Sequence, residues 1–344
     1  MMHPSLSIKQ SPAYGRAVYI TEEIPMSTTL FAIPQSLVIS RENVLAHDPV
    51  LGPLLQRDEL QRYALQLKLL CEKHKGDRSD WHVYISNLPT AFTMLMYFDQ
   101  EEKRELQDDG RMSLDGVLEQ LALIAEYEGI RQDVLAPNPG LEQRLFGSEG
   151  FSFEEYKWAH SIVRTRALPG RHGRPVLVPL VDMVNHRFGS YSIDKGTQAP
   201  DGSWIVTASH DLRKGSELTF EYCWADNHFF LSNFGFIDDD NPHDGVAVSV
   251  DNVGMVTITA ASAAPPPSPA LTKAVEERLR SYPTTLAEDA VLLAQEKRRH
   301  RQLAVRYRMS KKKILLLALA NNNNNKVEEE EEEKKKKRIT TSKI

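Results

Sequence analysis

Tyr222 closes the run Glu217-Leu-Thr-Phe-Glu-Tyr222, and Val178-Pro-Leu-Val-Asp-Met-Val-Asn-His186 sets a carboxylate, an amide and an imidazole close together. Arg164-Thr-Arg166, the small-residue run Gly15-Arg-Ala-Val-Tyr-Ile20, Asn227 and Asn233-Phe-Gly-Phe236 add a guanidinium, exposable backbone, a second amide and two rings. Several common chemistries are absent. There is no GxxxxGK[ST] phosphate loop, no GxSxG nucleophile elbow and no GxGxxG after a strand. Cys71 with His74, and Cys223 with His228, have no partner pair at zinc spacing, so no metal is expected. Taken singly, Gly15 reads as a turn glycine, His186 as a core histidine and Tyr222 as a packed strand tyrosine. Their joint order is what suggests a site.

Positioning these groups falls to a mixed set of elements. Ala17–Ile20 and Thr29–Ile33 read as short strands. From about 41 to 166 the period becomes helical: Asp58 is placed to cap a segment carrying Leu60, Tyr63, Leu67 and Leu70, and 114–130 and 153–167 repeat the pattern. Strand signals return at Val176–Val181, Ser203–Ala208, Glu217–Tyr222 and Gly245–Val250. A Pro-rich linker is expected at Ala260–Pro269, followed by a helix at Leu271–Tyr282. Thr285-Leu-Ala-Glu288 is a capping box opening a helical hairpin.

Composition bounds the rest. The 344 residues are 41% hydrophobic and 26% charged, with a formal charge of −5. Residues 326–344 hold seven Lys/Arg and six Glu, leaving the remainder near −6, which argues against a dedicated nucleic-acid binder. The longest apolar run, Ile314–Ala320, has seven residues, far short of a membrane span. Asparagines 321–325, Glu328–Glu333 and Lys334–Arg338 make 321–344 a low-complexity tail, expected to be disordered or a frayed helix. Two cysteines fit a reducing compartment, and the expected location is cytoplasmic or nuclear, or chloroplast should a transit peptide precede the chain.

The order of the motifs, with Trp81-x-x-Tyr84-x-x-x-Leu88-Pro89 and Tyr97-Phe98 between the first and the rest, resembles the SET-domain protein methyltransferases. The branch is that of the RuBisCO large-subunit lysine methyltransferase and the actin-histidine methyltransferase, and the likeness runs over about 13–320. Tyr282-Pro-Thr-Thr-Leu-Ala-Glu-Asp289 and Leu303-Ala-Val-Arg-Tyr-Arg308 resemble its helical substrate-binding region. The resemblance implies an α+β fold: a SET-type β fold over 1–250 with a helical insert at about 42–165. A linker and all-helical substrate-binding domain over 251–320 would follow, then the 321–344 tail.

It also implies S-adenosylmethionine as cofactor and a protein substrate gripped by the helical domain, in a monomer with no nucleic acid or membrane partner. Methyl transfer needs alignment and dryness more than acid or metal. By resemblance the backbone at Arg16, Ala17 and Val18, with Glu42, Arg166, Asp182, Asn185 and His186, holds the cofactor. Phe234 and Phe236 border it, and Tyr222 is catalytic. Leu168 and Val181, together with Tyr222, fall at substrate-binding positions. The histidine-modifying relatives carry an amide and an indole at those first two positions; the aliphatic pair here suits a lysine stem, so lysine is the expected acceptor. The alternatives are a histidine acceptor or a catalytically silent binding module. The segment Tyr222-Cys-Trp-Ala-Asp-Asn227 departs from the relatives' Tyr-Gly-x-[Arg/Lys]-Ser-Asn, and Ala17 replaces their second glycine.

Overall fold

The computed structural model describes residues 1–11, 15–108, 111–194, 196–261 and 268–341, with 11, 149 and 321–341 described in backbone only. In chain order the elements begin with β1 (Leu6–Ser11), β2 (Gly15–Ile20), β3 (Thr29–Ile33) and β4 (Ile39–Ser40). Helices α1 (Arg41–His47), α2 (Leu51–Leu54), α3 (Ala64–Lys75), α4 (His82–Ser86), α5 (Gln100–Arg104), α6 (Arg111–Ile130), α7 (Leu141–Phe146) and α8 (Phe153–Arg166) follow. Then come β5 (Leu168–Pro169), β6 (Pro175–Leu177), β7 (Asn185–His186), β8 (Thr197–Gln198), β9 (Trp204–Thr207) and β10 (Glu217–Phe220). The chain ends with α9 (Asn227–Asn233), β11 (Gly245–Val250), β12 (Gly254–Thr259), α10 (Pro269–Arg280), α11 (Leu286–Gln295) and α12 (Arg299–Thr341).

Two compact units divide these elements: Met1–Phe92 with Gln120–Cys223, and Thr93–Glu119 with Trp224–Ile344. This division does not follow a boundary at 250, because part of the expected insert and residues 224–250 group with the C-terminal helices. In the first unit a four-stranded sheet has the order β1-β2-β10-β7, and two three-stranded sheets have the orders β3-β9-β8 and β4-β6-β5. One apolar core joins them, drawing Val18, Leu30, Val206 and Leu218 from β2, β3, β9 and β10 and Val178 from just past β6, each fully buried. Burial on this scale, at roughly 25 cal/mol per Å² of apolar surface, outweighs the weak pairing of strands only two to six residues long.

The second unit pairs β11 with β12, antiparallel, in the register Gly245↔Thr259 to Val250↔Gly254. Val246, Val248 and Val250 alternate inward, as a half-buried strand must, onto Leu271 and Val275 of α10 and Ile314, Leu315 and Ala318 of α12. The capping box of α11 is formed: Thr285 Oγ1 accepts from Glu288 N at 3.2 Å, and Glu288 Oε2 accepts from Thr285 N at 2.7 Å.

Two local expectations change. Asp58 does not cap an α-helix; 58–63 is a 3₁₀ turn in which Asp58 Oδ1 accepts from Gln61 Nε2 at 3.1 Å, and the α-helix starts at Ala64. The strand expected over 176–181 stops at Leu177, because Pro179 has no amide to continue a ladder. Leu180 then takes a positive φ of 73°, and Val181–Met183 forms a 3₁₀ turn. The helical backbone of α12 runs through 321–341. Of the Pro-rich linker, 262–267 lie outside the described residues, as do 342–344 of the tail. Among the described residues no helix is long and apolar enough to cross a membrane.

Candidate active site

The site in the first unit is built on one strand junction. β10 runs antiparallel to β2, pairing Leu218 with Val18, and parallel to β7, pairing Thr219 with Asn185 and Phe220 with His186. That arrangement brings residues far apart in sequence onto neighbouring strands. Asn185 Nδ2 reaches across to donate to the Arg16 carbonyl at 2.9 Å and to Glu217 Oε1 at 2.8 Å. Gly15 opens β2 at φ 81°, a conformation that favours glycine, so its turn role is real. Ala17 and Val18 are fully buried, so the β-carbon at 17 is accommodated. The Arg16 side chain turns to Asn87, bonding both its Oδ1 and its carbonyl.

Tyr222 lies just past β10. Its backbone N–H donates to His186 Nδ1 at 3.0 Å, and its hydroxyl donates to the Val184 carbonyl at 2.8 Å. The two rings lie 5.2 Å apart. Burial pushes the phenol well above its ordinary pKa, with Arg166 pulling the other way, so the hydroxyl keeps its proton at neutral pH. It therefore cannot act as a base there. With its hydrogen held by Val184, it presents lone pairs to whatever adjoins it.

Asp182 has a fully buried carboxylate. Oδ2 accepts from Tyr84 Oη at 2.9 Å and faces Arg166 at 3.4 Å, while Arg166 also donates to the Asp182 carbonyl at 2.9 Å. Burial raises the Asp182 pKa, and Arg166 and Tyr84 oppose the rise without cancelling it. Asp182 Oδ1 and Arg166 Nε are buried with no hydrogen-bond partner among the described residues. Buried polar atoms left open in this way are costly unless something else satisfies them. The strained Leu180, two residues before Asp182, fixes the turn that aims this carboxylate.

The other expected residues have contacts of their own. Glu42, exposed in the first turn of α1, accepts from Arg174 at 2.8 Å. Its slight burial would raise the pKa, but the Arg174 hydrogen bond and nearby charge lower it overall. Leu168 and Val181 belong to the first unit's core at 6% and 0% exposure, so packing alone accounts for their aliphatic character. Phe234 and Phe236 lie in the second unit and flank Phe230 at 5.8 and 4.9 Å. Gly235 between them needs its φ of 76°, and a β-carbon there would meet Met94 N at 2.8 Å.

The departures after Tyr222 are resolved locally. Asp226 caps α9 by accepting from Phe229 N, doing what a serine at that position could do. Asn227, fully buried, donates to the Asp238 carbonyl at 2.9 Å and to Asp244 Oδ2 at 3.0 Å, a structural role in the second unit. Cys71 and Cys223 are not joined in a disulfide. His74 bonds Glu155 and His228 pairs with Asp115, so neither histidine is organised around a metal, and the described residues hold no three-ligand cluster.

Tyr84 is the functional candidate that sequence reading left unassigned. Its signal was the Trp81-x-x-Tyr84 spacing, which served only as a motif marker.

Comparison with known proteins bears on this geometry. Residues 269–315 match the family described as Rubisco LSMT substrate-binding. The actin-histidine N-methyltransferase of Callithrix jacchus is 31% identical over 245 residues, covering 69% of this chain and 40% of that protein. The Homo sapiens protein of that name is 30% identical over the same shares. In fold, the chain is similar to the SET domain of LSMT bound to lysine and AdoHcy, with a TM-score of 0.71 and 16% identity, over 95% of this chain and 89% of that one. The chain has the SET-domain fold. This SET-domain chain spans 40% of the length of the curated relatives it matches. Its α+β architecture, with a C-terminal helical region matching the substrate-binding family, is that of the LSMT structures.

Proposed function

We propose that the chain is an S-adenosylmethionine-dependent protein methyltransferase whose acceptor is lysine. The observation that carries the reading is the meeting of Asn185 and His186 of β7 with Tyr222 just past β10, and of Arg166 with Asp182 just before β7, where Asp182 Oδ1 and Arg166 Nε have no partner among the described residues.

The residues fit the amino-acid end of such a cofactor. The Arg166 guanidinium suits a carboxylate, and Asp182 Oδ1 with the Asn185 side-chain carbonyl suits an ammonium. Bound S-adenosylmethionine would supply a methyl group on an electrophilic sulfonium. Tyr222, held by Val184 and kept protonated by burial, would orient the acceptor with its lone pairs rather than remove a proton. The acceptor must then arrive neutral. For lysine near pH 7.4 that costs about 4 kcal/mol, which burial of the ammonium reduces. The helical segment 269–315, matching a substrate-binding family, is the region we assign to holding the protein substrate.

Lysine is favoured by the fold shared with the SET domain of LSMT, whose structure holds lysine and AdoHcy; Leu168 and Val181, packed in the core, do not decide between the acceptors. A histidine acceptor is the second reading, favoured by the similarity to actin-histidine N-methyltransferases at 30–31% identity. Mass spectrometric mapping of the methyl groups added to substrate proteins separates the two: lysine modification supports the proposal, and modification confined to histidine replaces it. A chain that fails to bind S-adenosylhomocysteine would be a silent binding module instead.

A further inference from the structure

A cavity of about 470 Å³ lies within the first unit among α1, the start of α2, α3 and α7, and none of Arg166, Asp182, Asn185, His186 or Tyr222 lines it. Its size falls in the usual range of small-molecule sites. Val44, Leu51, Cys71, Leu145 and the Trp81 ring give it an apolar wall.

The polar groups around it are unevenly spent. Asp48 accepts from Val50 N at 3.0 Å, Leu51 N at 2.8 Å and Lys68 Nζ at 2.9 Å. Glu72, behind the wall, accepts from Lys68 and Lys75, both at 2.6 Å, and from Ser79 at 2.7 Å. The Lys68 ammonium also covers the Trp81 face, 4.6 Å from its centroid, so that ring is not open to a cationic ligand. The carboxylates are thus occupied, whereas cationic donors remain. Arg144 lines the cavity, is exposed, and makes no ion pair among the described residues; Lys75 lines it with a side chain 49% exposed and only Glu72 as partner. Three cations line the cavity against one carboxylate, and Glu72 behind them still leaves a positive balance. An apolar hollow with a cationic rim matches a ligand with an apolar body and one negative head.

We propose that this cavity binds a small amphipathic carboxylate, its chain or ring against Val44, Leu51 and Leu145 and its acid group at Arg144 and Lys75. The site is separate from the methyl-transfer residues and does not depend on their assignment.

Calorimetric titration of the full chain with decanoate, decanol and decylammonium tests it. Decanoate should bind to one site, about tenfold tighter than decanol, with decylammonium weaker still. Arg144→Glu, on an exposed residue, should weaken decanoate by about tenfold and leave decanol unchanged. Val44→Phe, which fills the hollow, should weaken both, with the melting curve reporting that the variant folds. Methyl transfer by Arg144→Glu should match that of the unaltered chain. Absence of decanoate binding, equal affinity for decanoate and decanol, or an Arg144→Glu variant that binds decanoate as before would each overturn the proposal.

Discussion

Tyr84 Oη donates to Asp182 Oδ2 at 2.9 Å, so a residue of the short helix α4 supports the carboxylate that Arg166 also contacts. The hydrogen bond spans 98 positions of sequence and is buried. It makes the helical region after β4 a working part of the candidate site. A buried carboxylate with one neutral donor and one guanidinium is held in a single orientation, which leaves its second oxygen aimed at the open position.

Tyr84→Phe removes that donor while keeping the ring. Asp182 then has less to offset its burial, and we expect a stability loss of roughly 1–3 kcal/mol. Affinity for S-adenosylhomocysteine should fall about tenfold, measured by calorimetry beside thermal melts. Unchanged affinity would remove Asp182 from the cofactor site.

Tyr222→Phe keeps the ring packing beside His186 and Phe220 and deletes the hydroxyl held by Val184. Folding and cofactor binding should persist, while methyl transfer drops at least about tenfold, or ~1.4 kcal/mol of barrier. Single-turnover rates with saturating cofactor read this directly, and a rate within about twofold of the unaltered chain would reject the role.

Asn185→Ala breaks the link from β7 to the Arg16 carbonyl and to Glu217. Thermal shift by S-adenosylhomocysteine should shrink by an amount corresponding to roughly 1–3 kcal/mol of lost binding. A shift equal to that of the unaltered chain would place the cofactor elsewhere.

The strands and the polar residues of the site were legible in the sequence for different reasons. Thr29–Ile33 emerged as expected because β-branched and aromatic residues alternate there, and the capping box at Thr285 and Glu288 is a purely local signal. β1 went unread: Leu6–Ser11 carries only two apolar residues and gains its place by pairing with β2. Asp182, Asn185, His186 and Tyr222 could be named from their order, but their hydrogen bonds could not, since the partners come from β2, α4 and α8 as well as from the β10–β7 pairing. Leu168 and Val181 show the opposite limit. An aliphatic residue in the core and one in a binding channel look alike in sequence, and only burial distinguishes them.

Asp289 in the second unit gives a pH prediction. Burial would raise its carboxyl pKa, but Arg308 at 2.9 Å, Lys312 at 2.5 Å and Thr284 at 2.7 Å hold it below the ordinary range. A lowered pKa contributes stability that is present above the unfolded value of about 3.9 and is lost as pH falls through the folded one. Asp289→Asn should cost roughly 3–5 kcal/mol at pH 7, because Lys312 stays buried without its counter-charge and Arg308 keeps only Glu105. Denaturant melts at pH 7 and near pH 3 should show the variant and the unaltered chain converging in acid. An equal gap at both pH values would show that the carboxylate's charge is not what matters.

Transfer of a labelled methyl group from S-adenosylmethionine to protein in a cell extract, with the unaltered chain and Tyr222→Phe run side by side, tests the central claim most directly. We predict label on protein lysines that depends on the added chain and falls at least about tenfold with Tyr222→Phe. Cofactor that binds with no label transferred by either form, or equal transfer by both, would contradict methyl transfer centred on Tyr222.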